Sequence, residues 1–407
     1  MARLRYGLTP WTANGARATA SYPRLTTNLD LPVVIVGGGL TGAATAYAFA
    51  AAGIRSVLLE AESLAGGATM KASGVALAEP SSSYVELESA HGRRLARATW
   101  HATRRSALEF GATLRRLKIR CGYEPLDLVL IAQAGDQSKQ LAREMQTRKD
   151  AGLDVSGLPA RSLAALGVSG GSGARTHGHA RLDPVRACHG LARAAAVRGA
   201  GVFERTPVTH VKTTRRGVEV VTAKAVVTAQ AVILTTGDPS AGFHALDRHF
   251  AALETYVVQT PPLPAVVRSS LRTDKLILQD LQQPSHRLFW TDDHRITWSG
   301  GDQERSAERA RDKVLVQRTG QLMYELSLAV NAISGIQPAY GWHAPYSRAA
   351  DGLPFIGPHR NYPGHLFALG LGTNLTNAFL ASRILLRRYT DATEKDDEAF
   401  GFTRLPR

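Results

Sequence analysis

Apolar and polar positions alternate along this chain with a period that changes from segment to segment, and the changes mark out its elements. Val33 to Val36 is a short β-branched run suited to a buried parallel strand. Thr41 to Ala52 follows as an alanine-rich helix stopped by Gly53, and Ser56 to Leu59 completes a β-α-β unit. Ser83 and Glu86 form an S-x-x-E capping box ahead of a long amphipathic stretch, Tyr84 to Leu117, carrying Leu87, Leu95, Trp100, Leu108 and Leu114. Tyr123 to Gln133 has the pattern of a strand, Asp136 to Ala151 that of a charged surface helix, and Gly167 to Gly178 that of a loose glycine and serine segment. Asp183 before Pro184 predicts a helix start and Gly199 its stop, after which strands at Val218 to Thr222 and Ala231 to Thr235 return the chain to a sheet.

From His249 to Trp298 the pattern changes to short alternating runs separated by turn residues, at Tyr256 to Gln259, Leu276 to Gln279, Arg287 to Trp290 and Arg295 to Ser299. This predicts a second, antiparallel layer. A helix follows from about Ala307 to Val330, and the chain closes with Gly341 to Gly357, a strand at Leu366 to Leu369 and a helix from Thr376 to Tyr389.

Composition narrows the class. At 407 residues the chain exceeds one simple core, since domains run to ~100–200 residues. Its 44% hydrophobic and 20% charged residues exclude a disordered or fibrous protein. The two cysteines, Cys121 and Cys188, lie in unrelated contexts and support no disulfide framework, the usage expected in a reducing cytoplasm. The formal charge of +15 comes largely from arginine spread along stretches such as His91 to Arg120. Spread charge marks a solvated surface, so nucleic acid is not the expected partner; a basic exterior can instead steer an anionic substrate. Met1 to Asp30 has no apolar block for a secretory signal and predicts an extended arm over the surface. Leu31 to Ile54 carries no charge and exceeds the ~20 residues of a membrane helix. Its glycines fit a strand, a turn and a buried helix better, and no membrane span is expected.

The first candidate chemistry sits in that uncharged stretch. Gly37-x-Gly39-x-x-Gly42 lies between a strand and a helix, and the next strand runs into Glu60 and Ala61, near the ~20-residue spacing of a ribose-binding acid. Gly37 allows the tight turn, Gly39 lets a diphosphate approach the backbone, and Gly42 lets strand and helix pack closely. The helix N-terminus at Leu40 and Thr41 offers free amides and a positive dipole to the phosphates. Dinucleotide binding follows. A second glycine- and hydroxyl-rich loop, AGGATMKASGV (Ala65 to Val75), stands where a nicotinamide dehydrogenase would continue with another β-α-β unit, which argues for FAD rather than NAD.

The fingerprint and this loop resemble the FAD-dependent amine and amino acid oxidase family, which includes D-amino acid oxidase, glycine oxidase, sarcosine oxidase and γ-glutamylputrescine oxidoreductase. Three later segments carry the same resemblance: Leu182-Asp183-Pro184 with its helix and the Gly201 to Val208 stretch; Thr235-Thr236-Gly237; and ADGLPFIGP (Ala350 to Pro358) with LFALGLGTNLTNAF (Leu366 to Phe379). The resemblance implies an α/β fold with an FAD-binding, Rossmann-like domain of the glutathione-reductase type, interleaved with an α+β substrate domain on an antiparallel sheet. It divides the chain into an arm (1–30), the FAD domain (31–120, 168–245 and 336–395), the substrate domain (121–167 and 246–335) and a tail (396–407). It brings Gly67, Ala68, Thr69, Lys71, Ser73 and Gly74 towards the flavin, puts the backbone of Val208 on the adenine, and adds Thr236 and Gly237. It sets Gly370, Gly372, Thr373, Asn374, Leu375 and Thr376 in a turn and helix N-terminus facing the flavin pyrimidine.

The chain also departs from the family pattern. Leu375 replaces a frequent glycine, and Ala344 stands where sarcosine oxidase has its flavin-linking cysteine, so non-covalent FAD is expected. No clear counterpart of that enzyme's oxygen-activating lysine occurs in Arg295 to Gly301, which leaves dioxygen or another electron acceptor open. The implied reaction is oxidation of the C–N bond of a small amine or amino acid by hydride transfer to flavin, with hydrolysis of the imine. The candidates for the substrate site are Arg348, as a bidentate carboxylate clamp, with His343 as its alternative, Lys71 near the flavin's reactive edge, and Tyr256, Tyr346, Trp290 and Trp298 as walls. His177, His179 and His189 match no standard metal-site spacing, so no metal is expected. Two alternatives stay open: a flavin enzyme acting on a tRNA-borne aminomethyl group, and an electron-transfer subunit of a larger dehydrogenase.

Overall fold

The β-branched run that opens the pattern becomes the second half of the strand Leu29–Val36, paired on both sides at Val33 to Val36: these lie parallel to Ser56–Leu59, and Leu29 to Val36 lie parallel to residues of Val226–Gly237. The computed structural model describes residues 4–13, 21–239 and 242–404. Around this pair of contacts grows an eight-stranded sheet in the order Phe355–His359, Tyr362–Leu369, Val226–Gly237, Leu29–Val36, Ser56–Leu59, Gly201–Phe203, with the Val208–Thr214 and Gly217–Thr222 hairpin attached to Val226–Gly237. The helices Leu40–Ala51, Pro184–Val197 and Thr376–Tyr389 cover one face and bury Ile35, Ala43, Leu191, Ile233 and Ile384 beneath them. Asp183 caps its helix by accepting from the amides of Val185 and Arg186, as its place before Pro184 predicts.

A second, ten-stranded sheet runs Arg5–Tyr6, Tyr340–Ala349, Phe250–Gln259, Ile296–Glu304, Arg287–Trp290, Leu276–Asp280, Glu124–Ala132, Ser172–Arg181, Val75–Ala76, with Ser156–Pro159 also on Ser172–Arg181. Its pairings are antiparallel except at two places, Arg5–Tyr6 on Tyr340–Gly341 and Leu276–Asp280 on Asp127–Ile131. The helix Arg311–Ala329 closes one face of it over Tyr256, Val258, Leu288 and Trp290. The other face turns towards the first sheet and forms the roof of the site.

Several expectations are corrected. Gly167 to Gly178 is not loose: Ser172–Arg181 is a strand paired along Glu124–Ala132, and its small residues fit under Leu163 and Leu130, where a Cβ on Gly173 would lie 3.1 Å from a Leu163 methyl and from the Leu130 carbonyl. The arm does not merely lie over the surface, since Arg5–Tyr6 adds an edge strand and Leu25 is buried. Tyr340–Ala349 pairs with Phe250–Gln259 along its whole length, so this part of the segment assigned to the FAD domain belongs to the antiparallel sheet. The described part of the tail is packed down, with Phe400 buried and Arg404 bonded to Asp351. The long helix Tyr84–Arg116 forms behind its capping box but kinks at Gly92, φ +78°.

Candidate active site

The first cavity, about 730 Å³, opens at the carboxyl ends of the parallel strands. Gly37 takes φ +107° and donates to the Leu59 carbonyl at 2.9 Å, turning the chain into the helix. Gly42 lies so close beneath that a Cβ there would sit 1.9 Å from the Gly37 carbonyl oxygen. Among the described residues, the amides of Gly39 and Thr41 have no protein acceptor, and they project from the positive end of Leu40–Ala51. Leu40 instead donates to Thr69 Oγ1 at 2.9 Å, which ties the second glycine-rich loop to the helix start. Glu60 accepts from the Gly38 amide at 2.6 Å and from the Glu62 amide at 2.9 Å, so its carboxylate is held at the rim. A dinucleotide with a diphosphate fits this set of donors, the acid and the glycine backbone.

Most of the expected cofactor residues line this cavity: Gly37, Gly39, Leu40, Thr41, Glu60, Ala61, Gly67, Ala68, Thr69, Ser73, Val208, Thr236, Gly237, Gly372, Thr373, Asn374 and Leu375. Four do not. Gly42 packs behind the turn, and Gly74, φ +96°, backs its loop against Leu182 and the Trp11 ring. Gly370 faces the neighbouring cavity. Thr376 is fully buried with its hydroxyl unpartnered. The Asn374 side chain is spent on structure, accepting from Leu77 and Thr376 amides and donating to the Leu77 and Glu79 carbonyls. Arg305 also lines the cavity, bound to Asp238 at 3.0 Å and bridging the two sheets; nothing in the sequence pattern marks this pair.

A second cavity of about 770 Å³ adjoins the first. The two share Ser73, Thr255, Tyr346, Leu371, Gly372 and Thr373, so a group at the end of a nucleotide in the first is exposed to the second. Arg287, Gln279, Asp302, Tyr346 and Arg348 line it from the antiparallel sheet. Arg287 donates through Nε to Gln279 Oε1 at 2.7 Å. Burial pulls its guanidinium below the usual range, against the neighbouring charges of Asp302 and Asp280. Tyr346 donates to Asp302 Oδ2 at 2.6 Å, and burial together with that carboxylate pushes its phenol up. Further out, a buried cluster supports the floor: Arg148 binds Glu79 at 3.1 Å and Glu144 at 2.7 Å over the Trp100 ring.

Two of the expected substrate residues, Tyr346 and Arg348, are therefore on the cavity wall, with Arg348 exposed. Three are not. Tyr256 and His343 are direct cross-strand partners on the opposite face, where Tyr256 donates to Glu254 at 2.6 Å. Lys71 leaves the cavity to approach His343 Nε2 at 3.4 Å. Burial lowers both pKa values, and each cation or potential cation beside them, Lys71 for His343 and Arg311 for both, lowers them further. Strand alternation decides this: Thr255 and Ala344 take the cavity side, so their neighbours Tyr256 and His343 cannot. Trp290 and Trp298 are core, one bonded to Thr273 and the other stacked on His286. Arg287, Asp302 and Thr255 escape notice in the sequence. The one available signal is Gly300-Gly301 inside a strand run, which marks a bulge just before Asp302.

A glycine-rich turn with free amides in one cavity, adjoining a polar cavity under an antiparallel roof, fits a flavoprotein oxidoreductase. Residues 32–388 match the family model for FAD dependent oxidoreductases, and the chain belongs to that family. FAD is its cofactor, and its family acts on amines and amino acids. It is similar to a probable oxidoreductase, OrdL, of Haemophilus influenzae, 26% identical over 395 residues and covering 89% of this chain and 85% of the relative. It is 25% identical over 410 residues to the γ-glutamylputrescine oxidoreductase of Escherichia coli, covering 97% of this chain and 91% of that one. The glycine oxidase of Geobacillus kaustophilus has the same fold, with a TM-score of 0.76 at 19% identity over 93% of this chain and all of its own. Among the described residues no helix is long and apolar enough to cross a membrane.

Proposed function

We propose that this protein oxidises the C–N bond of an amine that carries a carboxylate, an amino acid or a close relative of one. The observation that carries the reading is Arg287. It is a half-buried cation on the wall of a cavity that opens onto the cofactor site, and among the described residues its terminal nitrogens have no hydrogen-bond partner. A guanidinium fork so placed is suited to a carboxylate, with Arg348 at the more open side. Bound FAD supplies the hydride acceptor. The protein's part is to fix the substrate by its carboxylate so that the α-carbon lies at the shared wall of Ser73, Thr255 and Tyr346, and to restrict water until the imine is released. FAD is held without a covalent link in this reading, since both cysteines are buried, neither lines either cavity, and Ala344 lines the cofactor side.

Anaerobic titration of the FAD-loaded protein with a panel of amines tests the proposal. Amines bearing a carboxylate should bleach the flavin and their des-carboxy counterparts should not; bleaching by neither kind rejects it. Admitting air afterwards, with a peroxide assay, identifies dioxygen or another acceptor. Release of all flavin on acid precipitation checks the non-covalent link.

A further inference from the structure

The strand Ile296–Glu304 is not regular. Tyr256 pairs with Gly300 but Glu254 pairs with Gln303, so Gly301 and Asp302 together face the single residue Thr255. Gly301 takes φ +67°, a conformation that suits glycine at a bulge. The consequence is a change of face. Trp298 points to the Arg311–Ala329 side, and strict alternation would send Asp302 after it and Gln303 into the cavity. The extra residue reverses this: Gln303 bonds to Tyr256 and Glu254 on the helix side, and Asp302 lines the cavity.

Asp302 arrives there half engaged. Its Oδ2 accepts from Tyr346, while Oδ1 has no donor among the described residues. Beside it stands the Arg287 fork, likewise free at its terminal nitrogens. Tyr346 lines both cavities, so the carboxylate that it holds lies next to the shared wall where the oxidised carbon must be. One free carboxylate oxygen and one free guanidinium edge, side by side, complement a zwitterion.

We propose that Asp302 is the specificity determinant for the substrate nitrogen: Oδ1 accepts a hydrogen bond from the ammonium while Arg287 donates to the carboxylate, so the substrate enters with its amine protonated. This rests on the reading of the second cavity as the amine site. Oxidation needs the nitrogen lone pair, so one ammonium proton passes to solvent after binding and before the hydride leaves the α-carbon, and the Asp302 charge holds that proton back. Asp302 therefore strengthens binding and raises the pH at which the bound amine is ready.

The other charged groups around Asp302 are Arg287, His286 and Asp280 from the neighbouring strands, with Arg348 beyond Tyr346. Of these, His286 titrates nearest to neutrality: burial disfavours its cation, but the Asp280 hydrogen bond and the Asp280, Glu325 and Asp302 charges leave its pKa raised above 6.5. The pH range that tests the proposal is accordingly the one around the ligand's own ammonium pKa.

The experiment uses the full-length, FAD-loaded protein and reads ligand-induced perturbation of the flavin spectrum, for glycine with acetate, alanine with propionate, and leucine with 4-methylpentanoate. In the wild type each amino acid should bind more tightly than its des-amino partner, and its affinity should fall as pH rises through its ammonium pKa. Asp302→Asn keeps an acceptor for Tyr346 and should weaken amino acids by about 10- to 100-fold, the worth of a charge-assisted contact. It should leave des-amino acids unweakened and bring anaerobic bleaching to lower pH. Tyr346→Phe should retain the preference for the protonated amine. Perturbation without bleaching would uphold the cradle and reject oxidation. Bleaching with an Asp302→Asn variant that binds amino acids as the wild type does, or a wild type that binds better above the ammonium pKa, would uphold oxidation and overturn the cradle. Absence of any perturbation by all six ligands overturns it too.

Discussion

Replacing Gly42 with alanine sets two effects of opposite sign against each other. Inside a helix the change should gain up to about 1 kcal/mol from backbone propensity. Here the new methyl would lie 1.9 Å from the Gly37 carbonyl oxygen and 2.9 Å from Thr235 Oγ1, whereas real Cβ contacts stay beyond 3.0 Å. The Thr235 hydroxyl is itself pinned, donating to the Val36 and Gly37 carbonyls at 2.9 and 3.0 Å. Relief needs strand and helix to part by more than about 1 Å, and since the obstacle is backbone, no rotamer change supplies it. Overpacking of this kind costs about 1–3 kcal/mol and offsets the propensity gain. Binding suffers more than folding. The free amides of Gly39 and Thr41 move with the turn, and losing one hydrogen bond to a charged phosphate costs about 1.5–3 kcal/mol, so FAD should bind at least about tenfold more weakly. Fluorescence titration of the apoprotein with FAD, paired with melting curves with and without it, measures both effects. Gly53→Ala is the control: φ +75° strains any side chain, but nothing lies within 4 Å of the new methyl, so stability falls while FAD affinity holds. A Gly42→Ala protein that binds FAD within about threefold of the wild type would refute the close-approach argument.

Arg287→Met should raise the KM of a carboxylate-bearing amine by about 30-fold or more, with FAD affinity unchanged, whereas Arg348→Met at an exposed position should cost less than about tenfold; steady-state kinetics with the best amine of the panel decides between them. His179 is fully buried, and its Nδ1 accepts from the Ala78 amide while Nε2 meets Thr176, an arrangement that holds the neutral ring. Burial, only partly opposed by Glu79, depresses its pKa from 6.5 to about 4. The unfolded chain therefore binds a proton that the folded one refuses, so stability should fall by up to about 3 kcal/mol as pH drops from 6.5 to 4. In urea titrations across that range His179→Asn should lose this part of the slope. Arg148→Met strands Glu79 and Glu144 without their common cation and should destabilise by about 3–5 kcal/mol, read as a lower urea midpoint.

The proposed cofactor half of the site was legible because it is built from backbone. A diphosphate lying against amides excludes side chains, so the requirement appears as glycine at fixed intervals in one contiguous stretch, Gly37 to Gly42, with Glu60 a strand later. Small, local demands of this kind survive translation from sequence to space without knowledge of the fold. The same holds for Asp183 before Pro184 and for Ser83 with Glu86, whose partners are their own neighbours. Ser172–Arg181 was not legible for the opposite reason: its strand character comes from pairing with Glu124–Ala132, which no local pattern announces.

The substrate half depends on which side of a strand each residue takes, and a single extra residue inverts that for all that follow. Tyr256 is a better candidate than Thr255 by chemistry, and His343 a better one than Ala344, yet register and twist give the cavity to Thr255 and Ala344. On the next strand the bulge at Gly301 does the reverse, delivering Asp302 to the cavity in place of Gln303. The aromatic residues that alternation turns away, Tyr256, Trp290 and Trp298, serve the packing under Arg311–Ala329, so their composition resembles a site while their position makes a core. It follows that a shift of one residue in the Gly300-Gly301-Asp302 segment would change the reaction chamber without touching the cradle. Deleting Asp302 should remove the bulge, leave FAD binding intact and set Gly301 opposite Thr255, so that the wall loses its carboxylate while Gln303 keeps its helix-side bonds, which separates holding the cofactor from choosing the substrate.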